Sequence, residues 1–181
     1  MTEERPPAAD LLRLAMAYQA SAALHAAVRL GIADALDGGP QSVPGIVEAI
    51  GGDVHAPALK RLLRALVALG VLEEAPSGTF ALSAVGRTLP AGNPGSLRDL
   101  VLFFGHADMW RSWMELERCI RTGQTAGMLL FGSEDAFVRG ADLAKGGKAR
   151  LERWLGAVGA GCRVRFSNGC WSTSSPARRR G

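Results

Sequence analysis

The stretch from Ala56 to Leu82 constrains the fold of this chain more than any other part of its sequence. Leucines recur there at intervals of three and four residues, which places them on one face of a helix: Leu59, Leu62, Leu63, Leu66 and Leu69. Pro57 suits the first helical turn, and Gly70 can adopt the left-handed conformation that ends a helix. The spacing therefore predicts an amphipathic helix that ends at Gly70.

Two short strand-like runs follow this helix. Residues 71–74 and 79–82 flank Ala75-Pro76-Ser77-Gly78, four residues typical of a hairpin turn. Before the helix, Ser42 can cap a shorter helix that ends at Gly51-Gly52. Two helices followed by a hairpin form a winged helix, a unit that serves both DNA binding and protein dimerisation.

The distribution of charge favours one of these two uses. Residues 1–138 hold 11 Lys and Arg against 15 Asp and Glu, a net charge of −4, whereas residues 139–181 hold 10 against 2, a net charge of +8. A protein that reads duplex DNA needs several cations on one face. Here the helix offers only three, Lys60, Arg61 and Arg64, in a body of net negative charge. We therefore expect dimerisation and no binding of nucleic acid, with a winged-helix transcriptional regulator as the alternative function.

A long apolar segment precedes the winged helix. Asp10 can cap a helix from Leu11 to Leu30 that ends at Gly31, and this helix is apolar nearly all round. Such a helix has to be covered on almost every side. We therefore expect a dimer interface that includes Leu11, Leu14, Tyr18, Ala22 and His25. A central position in a monomeric helical bundle is the other interpretation.

Three further helices are predicted between the hairpin and Gly123. Ser83 can cap a short helix, Ser96 and Asp99 resemble a capping box, and Asp108 can start a longer helix that ends at Gly123. In this longer helix, apolar residues recur at helical spacing: Met109, Trp113, Leu116 and Ile120. The sequence as a whole predicts a mainly α fold with one small β-hairpin.

The two ends of the chain differ in composition from its body. We expect residues 1–9 to be a flexible N-terminus and residues 141–181 to be a basic, largely disordered tail, because glycine and arginine dominate there and residues 163–181 show no periodicity. Lys148–Leu155 could form an isolated helical piece. The glycine-rich run Gly156–Gly161 follows a helical pattern rather than a strand, and no acidic residue follows Glu152, so we interpret it as a linker rather than a cofactor loop.

The cysteines and histidines give little sign of catalytic chemistry. The cysteines are odd in number and lack a CxxC spacing, which favours reduced thiols in a cytoplasmic protein and no metal site: Cys119, Cys162 and Cys170. The three histidines share no short spacing with a carboxylate pair, so we assign no catalytic residue: His25, His55 and His106. The N-terminus lacks a basic region, and charged residues interrupt the first apolar segment, which predicts neither a signal peptide nor a membrane span.

A series of motifs over roughly residues 10–140 carries a family resemblance. In chain order they are Ala23–Leu36, Leu59–Leu66, Gly70–Leu72, Phe80–Ser83, Gly86, Gly95–Arg98, Trp113, Thr122-Gly123 and Phe131-Gly132. Together they resemble the N-terminal dimerisation domain of the S-adenosylmethionine-dependent O-methyltransferases of plants and bacteria, the group that includes hydroxyindole and caffeate O-methyltransferases.

The resemblance implies a domain that pairs with a second copy, or with a full-length relative, and closes over the partner's substrate pocket. In the family a Rossmann-like domain follows, which binds S-adenosylmethionine and carries the catalytic histidine. The match fades near Arg139, so we expect this domain to be absent, through truncation or a shifted reading frame, and the chain to bind no cofactor and to be inactive alone. In an intact enzyme the resemblance would place Met128, Phe131 and Phe137 against a small aromatic or polyketide-like hydroxyl acceptor.

Overall fold

The computed structural model describes residues 6–132 together with the backbone of residues 163–167 and 170–174. The chain divides into two compact units, Met1–Leu102 and Phe103–Gly181. The helices are α1 (Pro7–Arg29), α2 (Ile32–Ala35), α3 (Val43–Ile50), α4 (Ala56–Ala68), α5 (Arg98–Phe104), α6 (Ala107–Met114), α7 (Leu116–Thr122) and α8 (Ala126–Phe131). The strands are β1 (Leu72–Glu74), β2 (Phe80–Leu82), β3 (Arg163–Ser167) and β4 (Cys170–Ser174). The described part is therefore mainly α, as the sequence predicted.

The first helix starts earlier than predicted. It begins at Pro7, where the missing N–H of proline leaves no donor unpaired, and Asp10 lies in its first turn instead of capping it. Its C-terminal end was predicted correctly. Gly31 has a φ of 74° and separates α1 from α2.

The winged helix is confirmed. The Ser42 hydroxyl accepts a hydrogen bond from the Gly45 N–H at 3.3 Å and so caps α3. Gly70, with a φ of 73°, follows α4 as predicted. β1 and β2 then pair antiparallel, with Leu72 opposite Leu82, around the turn closed by the bond from the Ala75 N–H to the Thr79 carbonyl.

A third segment pairs with the hairpin, which the sequence did not predict. Gln41 and Phe80 exchange two backbone hydrogen bonds, from the Gln41 N–H to the Phe80 carbonyl at 2.9 Å and from the Phe80 N–H to the Gln41 carbonyl at 2.8 Å. Gln41, two residues before the start of α3, is thereby held against the wing. The bridge fixes the entry to α3 relative to β2.

The core of the first unit lies between α1, α2, α3, α4 and the hairpin. Its most deeply buried large side chains are Val28, Ile32, Leu36, Ile46, Leu63, Leu66 and Phe80. Each contributes about 1.5–3 kcal/mol on burial, so these side chains dominate the apolar contribution to folding. Leu69 was predicted on the same face, but it is 44% exposed because it lies at the C-cap of α4, beyond the last helical turn.

Ser83 has a larger structural role than the predicted cap. Its hydroxyl accepts a hydrogen bond from the Gly86 N–H at 3.1 Å. It donates a hydrogen bond that is shared between the carbonyl oxygens of Gly70, at 2.7 Å, and Val71, at 2.9 Å. The segment it begins is a single 3-10 turn, Gly86–Thr88, and not a short α-helix. Ser83 thus joins the end of β2 to the turn after α4.

Ser96 lies before α5, where the sequence predicted a capping box. Its hydroxyl accepts a hydrogen bond from the Arg98 N–H at 3.2 Å. Arg98 also forms an ion pair with Asp34, whose second carboxylate oxygen accepts a bond from the Ala91 N–H at 2.7 Å. Asp34 therefore ties the loop after residue 90 to α2.

The second unit contains two helices where one was predicted between Asp108 and Gly123. The helix is interrupted at Glu115, which lies between the end of α6 and the start of α7. Gly123 ends α7 with a φ of 70°, as predicted. α6 begins at Ala107, one residue before the predicted start at Asp108, and His106 is its N-cap. Buried Phe103 and Met109 form a small apolar cluster in this unit.

Two short strands lie within residues 163–181, for which the sequence predicted disorder. β3 and β4 pair antiparallel, with Phe166 opposite Trp171. A two-stranded antiparallel pair differs from the parallel sheet of a Rossmann-like domain. The remaining predictions for the tail, the helical piece Lys148–Leu155 and the linker Gly156–Gly161, lie outside the described residues.

Candidate functional site

Helix α1 changes its environment along its length. Near its C-terminal end, Ala27 and Val28 are buried in the core. Near its N-terminal end, large apolar side chains are at least half exposed: Leu11, Leu12, Leu14, Met16 and Tyr18. An apolar helix end of this kind, which the described part of the chain leaves exposed, is typical of a protein–protein interface.

The five residues predicted at the interface lie along one face of α1. Leu11, Leu14, Tyr18, Ala22 and His25, which we call the α1 stripe, follow one another at intervals of three and four residues. Leu11, Leu14 and Tyr18 are 69%, 64% and 59% exposed, whereas Ala22 and His25 are half-buried. The stripe therefore runs from solvent towards the core.

Two of the three residues predicted to line an acceptor pocket lie on one short helix. The Thr125 hydroxyl caps α8 by accepting a bond from the Met128 N–H at 3.2 Å, and Gly132, with a φ of 67°, ends it. Met128 is exposed and Phe131 half-buried, and their spacing of three places both on one face of α8. Phe137 lies outside the described residues.

The apolar residues predicted to line up in one helix of the second unit do not form a buried face. Met109 is buried, but Trp113 is 51% and Ile120 77% exposed. The break at Glu115 interrupts the periodicity on which the prediction depended. Trp110 is half-buried, and its indole N–H donates to the Phe104 carbonyl at 3.1 Å.

The outer face of α4 combines positive charge with acidic neighbours. Lys60, Arg61 and Arg64 are all exposed, as predicted. The Arg64 guanidinium pairs with the Glu74 carboxylate at 3.3 Å, and exposed Glu73 lies next to Glu74 on the wing. This acidic edge opposes the approach of a phosphate backbone to α4.

Two of the three histidines act as helix caps. Nδ1 of His55 accepts from the Ala58 N–H, and Nδ1 of His106 accepts from the Asp108 N–H, each at 3.3 Å. Within the described ranges, no three His, Cys, Asp or Glu side chains come together in a group that could hold a metal ion. No helix among residues 6–132 is both long and apolar enough to span a bilayer.

The helix pair, the hairpin and the exposed α1 stripe together define a winged-helix dimerisation module. A family model supports this assignment. Residues 12–92 match the O-methyltransferase dimerisation domain. This part of the chain is therefore an O-methyltransferase dimerisation domain, and the chain belongs to the S-adenosylmethionine-dependent methyltransferases, of which it matches the N-terminal part.

Two of the relatives of this chain are bacterial methyltransferases. The phenazine O-methyltransferase PhzM of Lysobacter antibioticus is 30% identical over 128 residues, which are 71% of this chain and 37% of that protein. The 8-amino-8-demethylriboflavin N,N-dimethyltransferase of Streptomyces davaonensis is 32% identical over 123 residues, 68% of this chain and 35% of that protein. The chain thus spans little more than a third of the length of these relatives.

A solved structure has the same fold. CalO1, a methyltransferase of calicheamicin biosynthesis solved with SAH bound, superimposes with a TM-score of 0.68 at 30% identity. The superposition covers 86% of this chain and 47% of CalO1.

Proposed function

We propose that this chain is the dimerisation and substrate-capping part of an S-adenosylmethionine-dependent methyltransferase that acts on a small molecule, and that alone it dimerises without transferring methyl groups. The observation that carries the proposal is the exposure of the α1 stripe in a domain whose family is named for dimerisation. The core of the same domain is well buried, so the exposed stripe is not a sign of poor packing.

Two copies would cover each other's α1 stripes. Alanines at positions 15, 20 and 22 leave little bulk beside the large apolar side chains, which allows two helices to approach closely. Leu11, Leu14 and Tyr18 would then lose most of their contact with water. The partner is a second copy of the chain or a full-length relative with the same surface.

The acceptor would be a small aromatic or polyketide-like molecule. The names of the two relatives point to ring systems, a phenazine and a riboflavin derivative. A hydroxyl is the acceptor that the domain's family favours, although the second relative is named for methylation of an amine. Met128 and Phe131 would contribute an apolar wall to the pocket of an assembled enzyme.

Binding of the methyl donor would require the part of the relatives that this chain does not match. The alignments cover 37% and 35% of those proteins, at their N-terminal ends. Isothermal titration calorimetry of the 181-residue chain with S-adenosylmethionine should therefore show no saturable uptake, while a full-length relative serves as the positive control. Uptake of one donor per chain would contradict this part of the proposal.

A capture experiment tests the dimer separately from the donor. Two differently tagged copies of the full chain are co-expressed, and purification through one tag should recover the other copy. Leu14→Glu places a charge in the stripe and should abolish the recovery, whereas Gln19→Glu, at an exposed polar position of the same helix, should leave it unchanged. Recovery that is equal with and without Leu14→Glu would contradict an interface on α1.

A further inference from the structure

A tight turn connects α2 to the segment before α3. The Gly39 N–H donates a hydrogen bond to the Leu36 carbonyl at 3.1 Å, so Asp37 and Gly38 occupy the two central positions of this turn. Leu36, at the start of the turn, is buried, whereas Asp37 and Gly38 are both exposed. An aspartate that is followed by glycine is therefore in contact with water at a bend of the chain.

This pair of residues can rearrange its own backbone. The Gly38 amide nitrogen attacks Cγ of the Asp37 carboxylic acid, and the acid hydroxyl leaves with the amide hydrogen as water, which gives a cyclic succinimide. Water then adds to one of the two ring carbonyls and breaks its bond to nitrogen. If the main-chain carbonyl is the one attacked, the product is isoaspartate, in which the chain runs through Cγ. The water lost on ring closure is regained on opening, so no other reactant is needed.

The described turn leaves both reacting groups available. Within residues 6–132, neither the Gly38 N–H nor the Asp37 carboxylate has a hydrogen bond or an ion pair. Glycine has no side chain to obstruct the approach of its nitrogen to Cγ, and its backbone is freer to turn than that of any other residue. A Cβ built on Gly38 would have nothing within 4 Å, so the space around the nitrogen is open.

Two other aspartates nearby in the sequence lack this combination. At Asp34, the following N–H, that of Ala35, donates to the Gly31 carbonyl at 3.0 Å, and the carboxylate is engaged by α5 and by the loop before it. Asp53 is exposed, but it is followed by Val54, whose branched side chain crowds the attacking nitrogen. Of these three aspartates, Asp37 alone has a glycine after it and both groups free.

The rearrangement would alter a segment whose two ends are fixed. Isoaspartate adds one atom to the main chain between Leu36, which is buried in the core, and Gln41, which is bridged to Phe80 of the wing. We propose that Asp37 is a site of spontaneous isoaspartate formation in the folded chain, and that this modification loosens the attachment of α3 to the wing.

The test ages the full chain near neutral pH at physiological temperature for several weeks and then digests it with trypsin. Cleavage after Arg29 and Lys60 gives one peptide that contains Asp34, Asp37 and Asp53 together. Isomers of this peptide have the same mass and separate by chromatography, and electron-transfer dissociation identifies the residue that has changed. Isoaspartate should accumulate at residue 37 ahead of residues 34 and 53.

Gly38→Ala is the matched variant. It keeps the acid, and because Gly38 is not among the glycines with positive φ and its surroundings are open, the variant should fold as the unmodified chain does. The added methyl group obstructs ring closure, so most of the isoaspartate at residue 37 should be lost. Equal accumulation in the variant and the unmodified chain would overturn the proposal.

A sample of the unmodified chain aged in urea shows what the fold contributes. Isoaspartate that forms at residue 37 in urea but not in the folded chain would mean that the turn protects Asp37, which would overturn the proposal. So would its absence from residue 37 in both samples, or accumulation at residue 53 that is as fast as at residue 37.

Urea unfolding of the aged folded samples, at one protein concentration, measures the effect on the fold. The aged unmodified chain should contain a second population with a lower urea midpoint, in proportion to its isoaspartate content, whereas aged Gly38→Ala should keep the midpoint of the fresh variant. An isoaspartate-containing chain that unfolds at the midpoint of the fresh chain would contradict the loosening of α3.

Discussion

Gly86 lies directly against the backbone of Val71. A Cβ on residue 86 would stand 2.2 Å from the Val71 carbonyl oxygen and 3.2 Å from Cδ2 of Leu82. The oxygen cannot swing aside as a side chain could, because the Ser83 N–H donates to it at 3.1 Å and the Ser83 hydroxyl lies 2.9 Å away. The wing therefore packs on the end of α4 only if residue 86 has no side chain.

Gly86→Ala should destabilise the first unit by about 2–3 kcal/mol or more, because a single methyl group must displace backbone in a packed interior. Urea unfolding followed by circular dichroism measures the loss. Gly92→Ala is the matched control, since nothing lies within 4 Å of the added Cβ, and it should change stability by less than about 0.5 kcal/mol. Equal effects of the two substitutions would contradict the close approach at Gly86.

Ser83→Ala should cost about 1–3 kcal/mol, since it leaves the Gly86 N–H without the hydroxyl that accepts its hydrogen bond in a buried position. Ser77→Ala removes an exposed hydroxyl that contacts Thr79 in the hairpin turn and should have almost no effect. The comparison uses the same urea midpoints. A Ser83→Ala chain as stable as the unmodified one would show that this hydroxyl is not needed.

The ion pair between Asp34 and Arg98 should contribute little. Both side chains are partly exposed, 39% and 27%, and solvent weakens such pairs to below about 1 kcal/mol. A double-mutant cycle with Asp34→Ala and Arg98→Ala measures the coupling free energy. The coupling should fall further in high salt, because exposed charges are screened. A coupling that salt leaves unchanged would contradict this assignment.

Leu14→Ala should weaken the proposed dimer by about a hundredfold or more. A symmetric interface contains each residue twice, and each leucine contributes about 1.5–3 kcal/mol on full burial, so the loss is counted twice. Light scattering across a dilution series gives the dissociation constant of each chain. Gln19→Ala, at an exposed polar position of the same helix, should leave the constant within a few fold.

Much of the fold could be predicted because its signals are local. The spacing of the leucines predicted α4, and Ser42 predicted the start of α3; both predictions are confirmed. Gly70 and Gly123 were predicted to end helices, and both have the expected positive φ. These features depend on residues within one or two helical turns of each other. A single sequence contains that information directly.

The features that were not predicted either join distant parts of the chain or depend on residue types that are uncommon at those positions. The bridge between Gln41 and Phe80 and the contact of Asp34 with Ala91 connect residues far apart in sequence, and no periodicity marks them. Histidine is an unusual N-cap, so His55 and His106 were considered only as possible bases. The interruption between α6 and α7 at Glu115 has no proline or glycine, the residues from which a helix end is usually predicted.

The candidate interface was predicted from composition rather than from position. A helix that is apolar nearly all round has to be covered, and this argument made the α1 stripe the predicted interface. It could not show that the uncovered portion is the N-terminal half, because the core that buries Ala27 and Val28 comes from α2 and α4. That distinction now makes Leu11, Leu14 and Tyr18 the residues to substitute.

Sedimentation equilibrium of the 181-residue chain near neutral pH tests the central claim most directly. If the α1 stripe joins two copies, the measured mass should be twice the 19.0 kDa of one chain, and Leu14→Glu should reduce it to a single chain. A mass of 19.0 kDa for the unmodified chain at every concentration up to its solubility limit would contradict the account.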